Sequence, residues 1–349
     1  MKAALLAGYR DDWVVDDVPD PTITAPDDVI VRVGAAGFCR TDIHIWDGQF
    51  DAAWKEAGLD LPFICGHENA GWIQEIGDGV RHLAVGDAVL LHGMVTCGYC
   101  HACRAGDDAH CTNSAIPGIF APGGFAQYVK TNARACLPLP EGVTPVDAGP
   151  LACSGITAYR AVKKAQMLAY PGSHSVVIGA GGLGHVGILC LRALTETEII
   201  VVDRSEAALA HARRWGADQV VTSREDGSHV AEIQELTGGG AQVVIDFVGE
   251  HGAQNEAVQM LAPNGTDFLV GYGGTLEVEI QNQALFPETS FVGCILGNFN
   301  EMVELVHMVR RGAVELTKTT FPLEGVNDAF QALDQGRMVG RGVLVPNEA

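Results

Sequence analysis

The sequence predicts an α/β protein of two domains, one β-rich and one built on a doubly wound parallel sheet. Three observations point there. The chain has 349 residues, enough for about two domains at roughly 150 residues each. Hydrophobic residues make up 47% and charged ones 19%, which suits packed cores and not a disordered chain. The texture also changes near Pro150: short β-rich runs punctuated by Pro and Gly precede it, and alternating strand and helix patterns follow it. Such alternation, at about 25 residues per repeat, is the mark of a parallel doubly wound sheet. The boundaries read as 1–152 with 297–349 for the first domain and 153–296 for the second.

In the first domain, Val29-Ile-Val-Arg-Val33 and Val85-Gly-Asp-Ala-Val-Leu-Leu91 read as strands. In the second, Ser175-Val-Val-Ile178 leads into a glycine turn and a helical run from Ile188 to Leu194. Ile199-Ile-Val-Val202 is the next strand, after which Ser205 caps a helix reaching Trp215. Strands follow at Gln219–Val221, Val243–Phe247 and Phe268–Val270, with helical patterns at Val230–Leu236 and Gln254–Leu261 between them. The chain then returns to the first domain and ends in a strand at Gly342–Val345. There is no internal repeat.

Basic residues number 22 and acidic ones 43, a formal net charge of −21. A field of that sign repels phosphate backbones and anionic lipid, which disfavours nucleic-acid and membrane-surface roles. Apolar runs fall short of the roughly 18 residues of a membrane span, and no signal-peptide pattern opens the chain. A cytoplasmic protein is expected. Six Lys stand against sixteen Arg; with so many carboxylates, this suits either a high-salt cytoplasm (a halophile) or an ordinary acidic bacterial protein.

Gly179, Gly181 and Gly184 satisfy G-x-G-x-x-G directly after an apolar strand and at the opening of a helix, with Gly182 and Leu183 between them. Glycines there permit a tight turn and let helix N-terminal amides face a pyrophosphate. Asp203 closes the next strand nineteen residues on, where a carboxylate binds ribose hydroxyls and disfavours a 2′-phosphate. NAD is the expected cofactor of a Rossmann-type sheet, with Arg204 beside Asp203 softening that preference.

Of the ten cysteines, four fall at Cys97, Cys100, Cys103 and Cys111. That spacing suits a closed tetrahedral zinc in a lobe over about 95–113. His101 and His110 lie inside the lobe, but four sulfurs already satisfy the metal. A dispersed set is harder to see: Cys39 in Gly37-Phe-Cys-Arg-Thr-Asp-Ile-His44, His67 in Gly66-His-Glu68, and Cys153 in Leu151-Ala-Cys-Ser-Gly155. Two thiolates and an imidazole form a ligand set for a catalytic zinc with a fourth, open position.

With these motifs in this order, the sequence resembles the zinc-containing medium-chain alcohol dehydrogenases over essentially the whole chain. Gly66-His-Glu-x2-Gly71-x5-Gly77-x2-Val80, then Val85-Gly-Asp87, matches that family's zinc signature, and Gly340-Arg-Gly-Val-Leu-Val-Pro346 its C-terminal stretch. The stretch from Leu151 to Arg160 is most similar to the tetrameric archaeal and bacterial branch. The resemblance implies a GroES-like catalytic domain and a Rossmann domain. It implies two zinc ions per subunit, the catalytic one on Cys39, His67 and Cys153 and the structural one on the four-cysteine lobe. It implies that Glu68 stands behind the catalytic metal or swings in during ligand exchange, and that Asp42 fixes the tautomer of His67. Thr41 would take the alcohol's proton, His44 would pass it to solvent through the nicotinamide ribose, and Arg341 would bind the pyrophosphate. Trp46, His92, Phe120 and Leu296 are pocket candidates by resemblance alone.

The expected activity is NAD-dependent interconversion of a primary or secondary alcohol with an aldehyde or ketone by a homotetramer. A polyol or sugar dehydrogenase is the alternative on the same fold, with Cys153 against it because that branch often carries Glu there. A non-catalytic zinc-ribbon protein, the alternative of another class, would need basic residues around the lobe. Cys65, Cys136, Cys190 and Cys294 sit in apolar contexts and read as core residues, and Asp246 closes a strand, to cap it or to face the cofactor.

Overall fold

A computed structural model describes residues 1–347; the last two residues of the expected first domain lie outside that range. The chain gathers into two compact units, one of Met1–Ile156, Gly297–Arg311 and the residues from Leu316 onward, the other of Thr157–Leu296 with Gly312–Glu315. In chain order the strands are β1 (Lys2–Leu6), β2 (Val14–Asp17), β3 (Asp28–Gly37), β4 (Phe63–Ile64), β5 (Glu68–Ile76), β6 (Ala88–Leu91), β7 (Tyr128–Asn132) and β8 (Cys136–Pro138). There follow β9 (His174–Ile178), β10 (Glu198–Asp203), β11 (Gln219–Thr222), β12 (Ala241–Asp246), β13 (Leu261–Leu269), β14 (Ser290–Gly293), β15 (Lys318–Pro322) and β16 (Arg341–Val345). The helices are α1 (Arg40–Trp46), α2 (Asp51–Glu56), α3 (His101–Arg104), α4 (Pro145–Ala148), α5 (Ser154–Ala165), α6 (Gly182–Leu194), α7 (Glu206–Trp215), α8 (His229–Leu236), α9 (Ala253–Met260), α10 (Phe299–Arg310) and α11 (Val326–Asp334).

The first unit holds a small antiparallel sheet, β2-β1-β4, and a larger mixed sheet, β15-β16-β3-β5-β6-β8, antiparallel except between β15 and β16, with β7 also paired to β3. Its core is built on Leu6, Val31, Phe38, Trp54, Ile73 and Phe125, all buried. The expected strand at Val85–Leu91 starts only at Ala88. Gly86 takes φ +95° in a turn closed by the Asp87 amide on the Ala84 carbonyl, which leaves Val85 64% exposed.

The second unit is one six-stranded parallel sheet in the order β11-β10-β9-β12-β13-β14. Numbered within the unit that order is 3-2-1-4-5-6, the doubly wound arrangement with its switch point beside the first strand. The central strands are near-continuous apolar runs because both faces are covered. Ser205 caps α7 as expected, its Oγ accepting from the Ala208 amide at 3.3 Å, and Gly216 ends the helix in the left-handed region. Leu261, expected to end a helix, begins β13 instead, and Val270 lies past that strand with its amide on the Asp246 carbonyl.

Candidate active site

Register explains how the dispersed residues meet. Antiparallel pairing sets Gly37, the last residue of β3, opposite Glu68, the first of β5. Cys39, at the N-cap of α1, and His67, just before β5, are therefore carried to the same end of the ladder. Gly66 makes that approach possible: at φ +94° it is in the left-handed region, and a Cβ would lie 2.7 Å from the Phe125 amide nitrogen. Cys153 arrives on the chain entering α5, where the Ser154 amide donates to Glu68 Oε1 at 3.1 Å.

Ligating atoms of Cys39, His67, Glu68 and Cys153 all lie within 4.8 Å of one another. Both ring nitrogens of the buried His67 lack a hydrogen-bond partner, although Nδ1 stands 3.4 Å from Asp42 Oδ1. The other Asp42 oxygen accepts from the Cys39 amide at 2.8 Å. The Cys153 thiol holds Cys39 well below the usual thiol range, against burial, and the Cys39 sulfur raises Cys153 in turn. Two thiols outside any disulfide, a buried imidazole and a flanking carboxylate fit a zinc ion: softness, ligand count and a donor-ready His67 agree.

Glu68 is buried, and burial pushes its pKa up to about 7 against the pull of Arg341. Expected at the cofactor pyrophosphate, Arg341 is instead 2% exposed, with Nη2 on Glu68 Oε2 at 2.6 Å and on the Phe38 carbonyl. The Thr41 hydroxyl is 3.8 Å from Cys39 Sγ, and His44 is buried on the same short helix.

The pocket candidates disperse. Trp46 is half-buried against the core, packed on Phe330 with ring centroids 5.1 Å apart, and donates its indole N–H to the Asp11 carbonyl. His92 spends both ring nitrogens on backbone, Nδ1 3.0 Å from the Met94 carbonyl and Nε2 2.8 Å from that of Gly297, though with His67 and Asn69 it lines one small cavity. Phe120 is 36% exposed with its ring 6.3 Å from that of Phe50. Leu296 is half-buried at φ +46°, unusual for a leucine.

In the four-cysteine lobe, Sγ atoms of Cys97 and Cys111 are 3.6 Å apart, those of Cys97 and Cys103 and of Cys100 and Cys111 4.0 Å. A tetrahedron with Zn–S of about 2.3 Å has edges of about 3.8 Å. Amides of Cys100, Cys103 and Cys97 donate to the sulfurs of Cys97, Cys100 and Cys111. The Cys103 amide brings the Cys100 thiol down to about 6, while burial pushes Cys103 up to about 11. His101 and His110 are exposed, the latter on Asp107. Sequence reasoning missed the anchor of the lobe. Asp108, 4% exposed, accepts from Arg134 Nη2 at 2.7 Å, from the Thr96 hydroxyl at 3.4 Å and from the Phe299 amide at 3.3 Å. Its one visible signal was a carboxylate among the cysteines.

In the second unit the loop Gly179–Gly184 joins β9 to α6, with Gly182 and Leu183 in its first turn. A Cβ at Gly184 would fall 1.7 Å from the Gly179 carbonyl oxygen, so only glycine fits. Asp203 closes β10 and accepts from the Ala180 and Ser205 amides, each at 2.7 Å, with Arg204 exposed beside it. The remaining cysteines are buried thiols; burial pushes Cys136 and Cys190 up to about 12 and Cys65 well above its usual range.

Residues 25–141 match the family described as alcohol dehydrogenase GroES-like domain, and residues 182–311 that described as zinc-binding dehydrogenase. The chain is 34% identical to an NAD-dependent alcohol dehydrogenase of Sulfurisphaera tokodaii, over 99% of this chain and 100% of that one. It is also 34% identical to a D-arabinose 1-dehydrogenase (NADP(+)) of Saccharolobus solfataricus, over 99% and 97%. Among solved structures, the alcohol dehydrogenase of the archaeon Aeropyrum pernix superposes with a TM-score of 0.93 at 40% identity, covering 99% of this chain and 100% of its own.

Proposed function

The chain belongs to the zinc-containing medium-chain alcohol dehydrogenases, and from that premise we propose that it transfers hydride reversibly between an alcohol and NAD, giving an aldehyde or ketone. The observation that carries this reading is the convergence of Cys39, His67, Glu68 and Cys153 around a His67 ring whose nitrogens are unpartnered. Cys39, His67 and Cys153 would hold a catalytic zinc, and Cys97, Cys100, Cys103 and Cys111 a second one. When bound, the catalytic ion acidifies an alcohol hydroxyl and polarises a carbonyl, and the nicotinamide accepts or returns the hydride.

The chain's own residues do the rest. Asp42 sits where it can take the Nδ1 proton of His67 as a hydrogen bond, which fixes the other nitrogen as the donor. Thr41 would accept the alcohol's proton as its own hydroxyl proton passes on, and His44, three residues further along the same helix, would carry that proton toward solvent. Arg341 and the Ser154 amide hold Glu68 behind the sulfurs. The amides that open α6 face the pyrophosphate, and Asp203 takes the ribose hydroxyls at the end of β10. A sugar substrate is the second reading, favoured by the similarity to the D-arabinose enzyme.

A homotetramer is proposed as well. It is supported by the unpaired edge strand β14 and by Ile280, Leu285 and Phe286, which are 69%, 64% and 69% exposed. A cytoplasmic setting is supported by cysteines of which none, among the described residues, is paired in a disulfide. No helix among the described residues is long and apolar enough to cross a membrane.

The test is zinc analysis with an absorbance screen for reduced nicotinamide over primary, secondary, aromatic and sugar alcohols. Two zinc ions per chain and NAD-linked oxidation of a simple alcohol are expected. One zinc without turnover would sink the catalytic assignment.

A further inference from the structure

The parallel sheet carries a carboxyl that the reaction does not use. Asp267 on β13 is fully buried, and neither of its carboxyl oxygens has a hydrogen-bond partner. Its register sets it opposite Val244 of β12 and Phe291 of β14. Opposed residues on adjacent strands share a face, and the residues around it on this face are mostly apolar, with Val176, Ile178 and Val244 packed with Ala257 and Met260 of α9. An apolar side chain is what the position would ordinarily hold.

Two residues along β12 from Val244, on that same face, stands Asp246, also buried. One of its oxygens accepts from the Val248 amide at 2.8 Å and the Gly249 amide at 3.0 Å; the other has no partner. Its backbone carbonyl accepts from the amides of Val270 and Gly271. Asp246 therefore ties down the turn Phe247–Gly249, and that turn presses on the glycine loop. A Cβ at Gly179 would lie 2.7 Å from the Val248 side chain, and one at Gly187 2.6 Å from the Phe247 ring.

The charges around the pair are predominantly negative. From β12, Asp246 lies diagonally across the ladder from Asp267, one same-face position beyond its partner Val244, and its negative charge acts on it. From α9, Glu256 adds its field at Asp246, while its Oε2 stands 3.2 Å from Nε2 of the buried His229 of α8. β14 contributes Phe291 and no charged residue. Burial first, and the Asp246 charge second, push Asp267 up to about 8.

We propose that Asp267 is a positioning residue of the cofactor site: it must keep its proton for the Asp246 turn to stay pressed on the glycine loop, and its ionisation weakens cofactor binding. The physical cause is the cost of charging a buried carboxyl, increased by repulsion from a second buried carboxylate on the same sheet face. The inference rests on reading Gly179–Gly184 as the dinucleotide loop.

The sign follows from proton counting. An exposed Asp ionises near 3.8, whereas the folded chain holds this proton to about 8. Between those values the folded state carries a proton that the unfolded state has lost, so this group lowers stability as pH rises from about 4 to about 8 and adds nothing further above. Cofactor affinity follows ionisation in the folded state and weakens as pH passes about 8.

The experiment titrates NADH into the zinc-loaded full chain, by nucleotide fluorescence, from about pH 6.5 to about pH 9.5, for the natural protein and for Asp267→Asn. The natural protein is expected to lose about threefold or more affinity across that range relative to the variant. Its melting temperature should also fall more steeply than the variant's between about pH 5 and about pH 8. Asp267→Val supplies the same comparison should the Asn variant fail to fold. Parallel affinity profiles with intact binding overturn the proposal alone; no NADH binding by the natural protein at any pH overturns the dinucleotide reading and the proposal with it.

Discussion

The two sulfur clusters of the first unit differ in how much of the fold each needs. Cys97, Cys100, Cys103 and Cys111 fall within fifteen residues, and their sulfurs accept from amides of their own loop. Cys39, His67 and Cys153 span 115 residues, and the β3–β5 ladder together with the Ser154–Glu68 contact brings them together. A local cluster can couple its metal to the stability of one loop, while a dispersed one inherits its geometry from a sheet that is already folded. Loss of a ligand should accordingly be read as stability in the lobe and as turnover at the dispersed site.

The sharpest test is Cys39→Ser. We expect turnover to fall on the order of 10³-fold or more, because the metal's chemistry is lost or displaced. One zinc should remain, and the melting temperature should change little, since β3 and β5 are held by their own ladder. Near-normal turnover would remove Cys39 from the metal site. A collapse of the fold would mean that the dispersed cluster is as structural as the lobe, and the contrast would fail.

Cys100→Ser is the complementary case. Cys100 has its pKa brought down to about 6, by the Cys103 amide first, which favours the thiolate that a metal binds. Its loss should release the lobe zinc and lower the melting temperature by roughly 10 °C. The zinc at Cys39 should stay, with turnover per remaining folded chain within a few-fold. Metal analysis on the folded fraction checks it, and two zinc ions still bound would show that three sulfurs suffice.

The same contrast explains what could be read from the chain. Signals carried by neighbours in sequence were legible: the alternating strands and helices of the second unit, the Ser205 cap, Gly179–Gly184 with Asp203, and the four lobe cysteines. Cys39, His67 and Cys153 were legible only as members of a familiar ordered set, since no periodicity predicts which loops a sheet will bring together. The pairing of Arg341 with Glu68 depends on β16 lying beside β3, Val343 opposite Gly37, a long-range register that local residues do not encode. The packing of Trp46 on Phe330 was hidden for a similar reason, the two being far apart in sequence. The strand expected from Val85 failed on local grounds, because Gly86 and the Asp87 side chain, which accepts from the Ala84 amide, favour a turn there.

The smallest expected effect belongs to the lobe's anchor and tests whether the lobe is local in its energetics as well as in its sequence. Asp108 accepts from Arg134, Thr96 and the Phe299 amide while contributing no sulfur. In Asp108→Ala the Phe299 amide loses its partner, at a cost of about 1–3 kcal/mol. The Arg134 side chain, 43% exposed, finds water instead, so the lost ion pair adds little. A melting temperature lower by roughly 3–8 °C is expected, with both zinc ions retained and turnover nearly unchanged. If the lobe instead releases its zinc in this variant, the four sulfurs do not hold the metal by themselves. Anchoring to the core through Asp108 would then be part of the metal site, and the lobe would depend on long-range structure as the dispersed cluster does.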